Sequence, residues 1–418
     1  MRTTRVSAAL AAELDSCFAG SMTSSALPAR EPRGKEQFGR RPRIALVLID
    51  AGSRSGTGNA AHELLRRGHA AYDFVVVSTR LAEEVRPFAE LRKIPAPYGP
   101  FRLRWLVFYL LAGLRLRGID ADLVHTLAPA PLVPNRVDLA TVLFSQAAFF
   151  EHRPKPTGLL DRLARSFSVG LEHRAYRPDR VRVLTALAEG GRAELERLHP
   201  GVPVVVTPHV LDRERFHPDE RSRDEMRRTH DVAPGEVVAC FVNNIFWEHK
   251  GLAIAIRSFA AARRSAPGIA QLWVIGVGPV ERYRAIAREA GVADRVRFLG
   301  WRGDIERLYG AADVLLHPAT YETFSLAVHE AAACGIPVVA TRVNGVEDLL
   351  ADGSAGILVE RNETAVTDAL LRLARDPELR RRMGEAGHRR AIEFGPELFT
   401  ESVLGAYRDL LTSRRPRS

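Results

Sequence analysis

The feature that most constrains the fold is a series of short, continuous apolar runs, each followed by a loop and an amphipathic stretch. Residues 44–49 read Ile-Ala-Leu-Val-Leu-Ile, and this run ends in a loop that contains Gly56 and Gly58. A helix is expected at 59–67 and a second strand at 74–78. Apolar runs without polar alternation suit strands buried on both faces of a parallel sheet. The rhythm therefore predicts right-handed βαβ units.

Two such series follow one another along the chain. The later strands of the first series are expected at 122–125, 139–144, 182–185 and 204–206. The strands of the second series are expected at 237–242, 272–275, 296–299, 314–317 and 337–340. Two parallel sheets, each wrapped by helices, predict an α/β fold with two Rossmann-like domains. We expect the sheets to face each other across an interdomain cleft, which is the default position for a ligand.

The segments between and around these series set the domain limits. Residues 1–42 are rich in Ser, Ala, Arg, Gly and Pro without a sustained period, which predicts a disordered basic leader. The remaining segments are expected to be an N-terminal domain at 43–207, a polar linker at 208–235, a C-terminal domain at 236–393 and a terminal helix at 394–413 that returns toward the N-terminal domain.

The charge distribution argues against a specific nucleic-acid partner. The chain of 418 residues has a net charge of +10. Residues 1–43 hold +4 of this charge and the last six residues hold +3, so the body carries only about +3. Basic tails are usually solvated or bind anionic surfaces weakly. A nucleic-acid binder would instead keep a steeply salt-dependent affinity after removal of the leader.

Cysteine usage and hydropathy predict a cytoplasmic protein. Cys17, Cys240 and Cys334 are widely scattered, which fits a reducing compartment and argues against a disulfide framework or a zinc site. The apolar stretch near the N-terminus is interrupted by acidic residues, so no secretory signal is convincing. The longest apolar run, 105–114, is too short to span a bilayer.

Residues 102–117 leave two interpretations open. The segment is apolar between two pairs of Arg and contains Trp105, Phe108 and Tyr109. An interfacial helix has this composition, which would give peripheral contact at the inner face of the plasma membrane. A helix buried against the sheet and apolar all round has it as well, and we favour that interpretation.

The most specific text of the chain lies at 317–341 and reads HPATYETFSLAVHEAAACGIPVVAT. It closely resembles the Glu-x7-Glu signature of retaining GT-B glycosyltransferases of the family-4 type, also called glycosyl transferases group 1. Lys250-Gly251 after the first strand of the second series, and Gly276 after the next strand, are weaker features of the same family. The resemblance spans nearly all of 43–400 and is strongest in the C-terminal half.

The resemblance implies a hexosyltransferase that retains the anomeric configuration of the sugar. The C-terminal domain would hold a nucleoside-diphosphate-sugar donor, and the N-terminal domain would hold a saccharide, lipid-linked or small-molecule acceptor. Glycosylation of cell-envelope glycans or natural products is the expected setting. Neither a cofactor nor a metal is expected, because Lys250 and backbone N–H groups would take the diphosphate charge. Asp120-Ala121-Asp122 fits a metal site only weakly, since no other ligand cluster accompanies it.

The resemblance also implies a role for each site residue. Glu322 would accept hydrogen bonds from sugar hydroxyls, Lys250 would contact the donor phosphates, and His125 would contact the transferred sugar or the acceptor. For His125 a satisfied histidine at a strand end is an equal alternative. The residues expected to bind the donor are Glu330, Thr323, Phe324, Ser325, Leu326, Gly56, Gly58, Asn244 and Gly276. Independently, the first N–H groups of the helix after 324 lack intrahelical partners, which suits a phosphate.

Three departures from the family pattern keep alternatives open. No Arg occurs at 243–249, where the family often pairs one with the lysine. Ser325 stands where Gly is usual, and Leu127 stands where a second His is common. The missing Arg and Leu127 leave a catalytically silent nucleotide-sugar-binding protein as one alternative function. Among enzymes, a GT-B sugar-nucleotide epimerase is the alternative.

Overall fold

The computed structural model describes residues 40–52, 56–95, 101–127, 136–153 and 158–413. They form two compact units. The first unit contains the described residues up to Val210 together with those from Pro396 to Ser413, and the second unit is Leu211–Gly395. The expected leader and residues 53–55 of the Gly-rich loop lie outside the described residues.

The first unit is built on one sheet of seven parallel strands. These strands are β1 (Arg43–Val47), β2 (Asp73–Ser78), β3 (Ala89–Lys93), β4 (Leu123–Thr126), β5 (Val137–Thr141), β6 (Val181–Ala186) and β7 (Val204–Val206). Their order is β3-β2-β1-β4-β5-β6-β7. The order reverses between β1 and β4, as it does in doubly wound folds.

Helices cover both faces of this sheet. They are α1 (Gly56–Gly68), α2 (Phe101–Leu116), α3 (Gln146–Glu151), α4 (Leu159–Ala175), α5 (Glu189–Leu198) and, from the chain end, α14 (Pro396–Thr412). The alternation along β1 sends Ile44 and Leu46 to a core shared with α1 and α14. Ala45 and Val47 face a core shared with α2. The run at 44–49 is apolar throughout because both of its faces are covered.

The second unit repeats the arrangement with six parallel strands. These are β8 (Val237–Val242), β9 (Ile269–Ile275), β10 (Val296–Gly300), β11 (Val314–His317), β12 (Val338–Thr341) and β13 (Gly356–Val359), in the order β10-β9-β8-β11-β12-β13. Its helices are α6 (Glu220–Thr229), α7 (Leu252–Ser265), α8 (Val280–Glu289), α9 (Ile305–Ala311), α10 (Leu326–Ala333), α11 (Val346–Leu350), α12 (Glu363–Arg375) and α13 (Pro377–Ala391). Both sheets are parallel, as the apolar runs predict.

The expected linker at 208–235 contains helix α6 and is therefore not a simple connection. Asp219 caps this helix by accepting a hydrogen bond of 3.1 Å from the backbone N–H of Ser222. Arg223 and Arg227 form ion pairs of 2.5 and 3.0 Å with the buried carboxylate of Asp313. The charged residues that suggest a solvated linker thus bind α6 to the start of β11. The second unit begins at Leu211, well before 236.

Helix α2 corresponds to the apolar segment at 102–117, and only one of its faces is covered. Phe108, Tyr109 and Ala112 are at most 1% exposed and pack against the sheet. Leu110 and Leu114 are 47% and 49% exposed. One face of the helix is therefore buried against the sheet, while the outward face presents apolar side chains to solvent. Among the described residues, no helix has both the length and the apolar character needed to cross a bilayer.

Candidate functional site

The candidate site of the second unit lies where the neighbouring parallel strands β8 and β11 end. The chain after β8 forms a short 3-10 turn at Glu248–Lys250, and the chain after β11 runs through 318–325. The backbone N–H of Thr320 donates a hydrogen bond of 2.7 Å to the carbonyl of His249, which joins the two segments. Ligands of doubly wound folds bind outside such carboxyl ends.

Gly251 allows the two segments to approach this closely. Its φ is +86°, and a Cβ atom on it would lie 2.1 Å from the carbonyl oxygen of Pro318. Only glycine tolerates both the left-handed backbone and the contact. Close packing thus explains the glycine of the Lys250-Gly251 pair, and this reason is separate from the charge of the lysine.

Lys250 and Glu322 form a largely buried ion pair. The Nζ atom of Lys250 donates a hydrogen bond of 2.7 Å to Oε1 of Glu322, and the two side chains are only 15% and 11% exposed. Burial raises the pKa of the Glu322 carboxyl, but Lys250 and His317 outweigh burial and hold this pKa at about 2. Glu322 is therefore ionised at neutral pH and can accept hydrogen bonds.

His317 is a third member of this cluster that the sequence did not single out. It ends strand β11 and is 1% exposed. Its Nε2 atom lies 3.2 Å from Oε1 of Glu322 and 3.0 Å from the hydroxyl oxygen of Ser325. Among the described residues, its Nδ1 atom has no hydrogen-bond partner. The available signal was a histidine directly before Pro318 at the end of an apolar strand.

Ser325 precedes α10 in a left-handed conformation, with φ of 63° and ψ of 73°. Its side chain makes no capping hydrogen bond, because its hydroxyl lies against His317 instead. This serine therefore leaves the first amides of α10 uncapped. The backbone conformation is the one that glycine adopts without strain, which explains why glycine is usual here in the resembling family.

Three other residues expected to bind the donor surround this turn. Phe324 is 2% exposed and stacks on His329, with ring centroids 3.9 Å apart. Its ring is therefore packed in the interior of the second unit. Thr323 and Leu326 are partly exposed and flank Phe324 and Ser325.

Glu330 lies in the second turn of α10 and is partly exposed. It accepts a hydrogen bond of 3.2 Å from the hydroxyl of Tyr309. Burial raises the pKa of the Glu330 carboxyl to about 7, and the Tyr309 hydroxyl opposes this shift. In the ionised form both of its carboxyl oxygens accept hydrogen bonds, whereas the protonated form carries one O–H donor.

Asn244 and Gly276 lie at the same carboxyl edge of the sheet. The side-chain oxygen of Asn244 accepts a hydrogen bond of 3.1 Å from the backbone N–H of Phe246, which shapes the loop after β8. The N–H of Gly276, directly after β9, donates a bond of 2.8 Å to the carbonyl of Gly300. Both residues shape the rim of the site, and their contact with a donor stays a prediction.

The first unit places His125 in its core. The residue is 0% exposed, with Nδ1 2.7 Å from the hydroxyl of Tyr407 and Nε2 2.9 Å from the hydroxyl of Thr141. Burial lowers its pKa to about 3, so the ring is neutral. A ring with both nitrogens engaged cannot contact a sugar without losing these bonds. The geometry favours the structural alternative over the catalytic role.

Gly56 and Gly58 also differ from the expected arrangement. They form the first turn of α1, which begins at Gly56 and not at 59, so they do not lie in a free loop. They remain in the first unit, after the carboxyl end of β1. Asp122, the second acidic residue of the Asp-x-Asp text, accepts bonds from the Arg40 guanidinium and the Arg43 N–H.

Two doubly wound parallel units with a polar site at a carboxyl edge define a protein of the GT-B class. Residues 222–390 match the family Glycosyl transferases group 1. The matched region lies in the second unit and contains Lys250, Glu322 and Glu330.

Curated relatives agree with this family. A D-inositol 3-phosphate glycosyltransferase of Actinosynnema mirum is 37% identical over 218 residues, which cover 49% of this chain and 51% of the relative. A GDP-mannose-dependent alpha-(1-6)-phosphatidylinositol monomannoside mannosyltransferase of Mycolicibacterium smegmatis is 34% identical over 221 residues, covering 50% of this chain and 54% of the relative. The chain spans about half the length of these relatives in the matched regions.

Solved structures share the fold over nearly the whole chain. WaaG, a glycosyltransferase involved in lipopolysaccharide biosynthesis, gives a TM-score of 0.73 at 21% identity, covering 89% of this chain and 100% of WaaG. Alr3699/HepE of Anabaena, solved in complex with UDP and glucose, gives 0.68 at 16% identity, covering 88% of this chain and 100% of HepE. These likenesses establish the fold of the chain.

Proposed function

We propose that the chain is a retaining glycosyltransferase that moves a hexose-type sugar from a nucleoside-diphosphate-sugar to a saccharide, lipid-linked or small-molecule acceptor. The observation that carries the proposal is the buried Lys250–Glu322 pair, 2.7 Å apart, beside the uncapped start of α10. A cation and free amides suit a diphosphate, and an ionised carboxylate suits sugar hydroxyls. The match of residues 222–390 to the group 1 family supports the same assignment.

The leaving diphosphate carries the charge that develops during transfer. Lys250 is held in place by its bond to Glu322, so its charge is preorganised at the strand edge. The first amides of α10 add the positive end of the helix dipole. These groups stabilise the departing diphosphate without a metal ion in this proposal, and an arginine at 243–249 is not required.

Glu322 has a separate task. Its pKa of about 2 keeps it ionised, and Lys250 and His317 both contact Oε1. The other oxygen is then available to orient the hydroxyls of the transferred sugar. Glu330, in the second turn of α10, is proposed to accept hydrogen bonds from the ribose hydroxyls of the donor through its two carboxyl oxygens.

The test is donor turnover by the purified full chain. Donor hydrolysis and sugar transfer are measured with UDP- and GDP-sugars, and the acceptor panel includes inositol phosphates, glycans and lipid-linked sugars. K250A and E322Q are compared with K93A, which removes an exposed lysine of the first unit. We expect losses of about a hundredfold or more for the two site variants and none for K93A.

Product stereochemistry tests the finer part of the proposal. NMR of the transferred sugar should give the same anomeric configuration as the donor. Turnover that survives in both site variants contradicts the proposed site. Epimerised donor without transfer identifies the epimerase alternative, and tight donor binding without any turnover identifies a silent binding protein.

A further inference from the structure

The loop that carries Lys250 also presents an indole ring to solvent. Trp247 is 52% exposed, whereas Trp273 in the neighbouring strand β9 is fully buried. The indole lies at the carboxyl edge of the sheet, three residues before Lys250. A single exposed apolar side chain is ordinary, so the position of the ring and the rigidity of its loop decide its meaning.

The backbone that presents Trp247 is fixed on both sides. The carbonyl of Trp247 accepts a hydrogen bond of 3.0 Å from the N–H of Lys250, which closes the 3-10 turn. Upstream, the N–H of Ile245 donates a bond of 2.9 Å to the carbonyl of Val277 in the loop after β9. Downstream, the carbonyl of His249 is bonded to the segment after β11. The indole therefore stands on a preorganised loop, which lowers the entropic cost of binding a ligand.

The ring of His249 stands beside the indole. The two ring centroids are 5.9 Å apart and the ring planes meet at 45°, so the rings form an open corner and do not stack on each other. Both rings belong to the turn whose last residue, Lys250, is bonded to Glu322. An exposed aromatic surface and a charged pair are thus held on one short turn.

This combination suits a cyclic polyol. A pyranose or cyclitol ring has C–H bonds on its faces, which pack on an aromatic ring, and hydroxyls at its rim, which need polar partners. The ionised carboxylate of Glu322 accepts hydrogen bonds from hydroxyls, and the ammonium group of Lys250 donates them. An aromatic surface with a few convergent polar groups is the usual composition of a small-molecule site.

We propose that Trp247 is a stacking platform for a pyranose or cyclitol ring, which it positions beside the Lys250–Glu322 pair, with His249 on one side of the ring. This subsite rests on the proposed function, since the ring is either the transferred sugar or the ring of the acceptor. Stacking on a fixed indole restricts the orientation of the ring, and orientation is a main source of catalysis in group transfer.

Binding of defined rings to the purified full chain tests the platform. NMR titrations use myo-inositol and methyl α-D-mannopyranoside in the presence of UDP or GDP, with glycerol as the open-chain polyol. W247F keeps an aromatic face, and W247L keeps an apolar side chain without one. W301L removes another exposed indole of the same unit, at 43% exposure after β10, and serves as the matched control.

We expect W247L to bind a cyclic polyol roughly tenfold more weakly than wild type, and W247F to stay within about threefold of it. W301L should bind like wild type, and glycerol should show no dependence on Trp247. Because the indole is exposed, all three variants should keep the thermal unfolding of wild type, which excludes misfolding as the cause of a loss.

Titration of nucleotide-sugars distinguishes the two sources of the ring. Weaker binding of UDP-glucose or GDP-mannose to W247L, with UDP and GDP bound as before, identifies the transferred sugar. Weaker binding of the free rings alone, with the nucleotide-sugars bound as before, identifies the acceptor. Both results support the platform.

Four outcomes overturn the platform. They are absence of cyclic polyol binding in wild type, equal binding by wild type and W247L, equal losses in W247L and W247F, and an equal loss in W301L. Weaker binding of UDP and GDP themselves to W247L assigns the indole to a nucleobase and overturns it as well. The proposed function fails separately, when wild type binds a free ring through Trp247 but neither binds nor turns over any nucleotide-sugar.

Discussion

His317 orders the charged cluster of the second unit at the scale of single residues. Its Nε2 atom contacts the same Glu322 oxygen that Lys250 contacts, so the carboxylate is held from two sides. A hydrogen bond to a charged group is worth about 1.5–3 kcal/mol, which is enough to fix an orientation. We therefore regard His317 as a positioning residue for Glu322.

Replacement of His317 should separate orientation from simple packing. H317L removes the hydrogen bond at similar volume, and we expect kcat to fall by about tenfold or more with a smaller change in KM for the donor. H317Q keeps an N–H group that can reach Glu322 and should restore part of kcat. Steady-state kinetics over a range of pH measure both. Equal losses in the two variants would argue for packing alone.

Glu330 gives the second unit a pH-dependent stability. Its pKa is about 7 in the folded chain against an ordinary value of 4.5. The folded state therefore binds this proton more tightly than the unfolded state, and stability falls as pH rises between these two values. The loss of stability caused by ionising Glu330 is absent below about pH 4.5 and complete above about pH 7.

The variant E330Q should abolish this dependence while keeping an acceptor for Tyr309. Relative to wild type, its free energy of unfolding should rise by about 2 kcal/mol between about pH 5 and about pH 8. Urea unfolding at several pH values measures the difference. A constant difference between the two proteins across this range would contradict the raised pKa.

Ser325 offers a matched pair of substitutions, because S325A and S325G both remove the hydroxyl that contacts His317. They differ in the Cβ atom, which is strained at a φ of 63°. S325G should therefore be more stable than S325A by about 1 kcal/mol in urea unfolding. S325A at least as stable as S325G would mean that this turn is not left-handed in solution.

At the scale of elements, the sequence predicts most of the parallel strands because both faces of each strand are apolar. Strand β3 (Ala89–Lys93) was missed. It lies at the edge of the sheet beside β2, and its polar residues form no apolar run. Helix α6 was read as a linker because its arginines reach a buried aspartate that lies far away in the sequence. A short sequence window cannot show that a charged residue pairs with a residue so far away along the chain.

The site was predicted as a motif, but its internal contacts were not. Glu322 and Lys250 were identified by resemblance, and the structure brings them to 2.7 Å. The left-handed backbone of Ser325 and the burial of His125 depend on three-dimensional packing around them, so a linear pattern could not give them. His125 is the clearest example, because the sequence around a histidine at a strand end does not show whether its side chain is exposed or buried.

Gly251 tests the contact between the two loop segments that hold the ion pair. G251A places a methyl group against the Pro318 carbonyl, 2.1 Å away, at a φ of +86°. Gly235 has a φ of +82° with nothing within 4 Å of the added atom, so G235A carries the backbone strain alone. We expect G235A to lose about 1 kcal/mol of stability and G251A to lose more, with weakened donor binding. Similar losses in urea unfolding would contradict the close approach.

At the scale of the whole molecule, the chain combines two doubly wound units, and the proposed donor site lies in the second. The second unit carries the cation, the ionised carboxylate and the uncapped helix start that suit a nucleoside diphosphate. The proposed ring platform at Trp247 lies in the same unit.

The central claim is that a donor diphosphate is bound at the Lys250–Glu322 pair and the start of α10. A crystal structure of the full chain with a bound nucleoside diphosphate tests it most directly. The claim predicts phosphate oxygens within hydrogen-bond distance of Lys250 Nζ and of the amides at 325–327, with Glu330 on the ribose hydroxyls. A diphosphate bound elsewhere in the chain, with the Lys250–Glu322 pair unchanged and uncontacted, would contradict it.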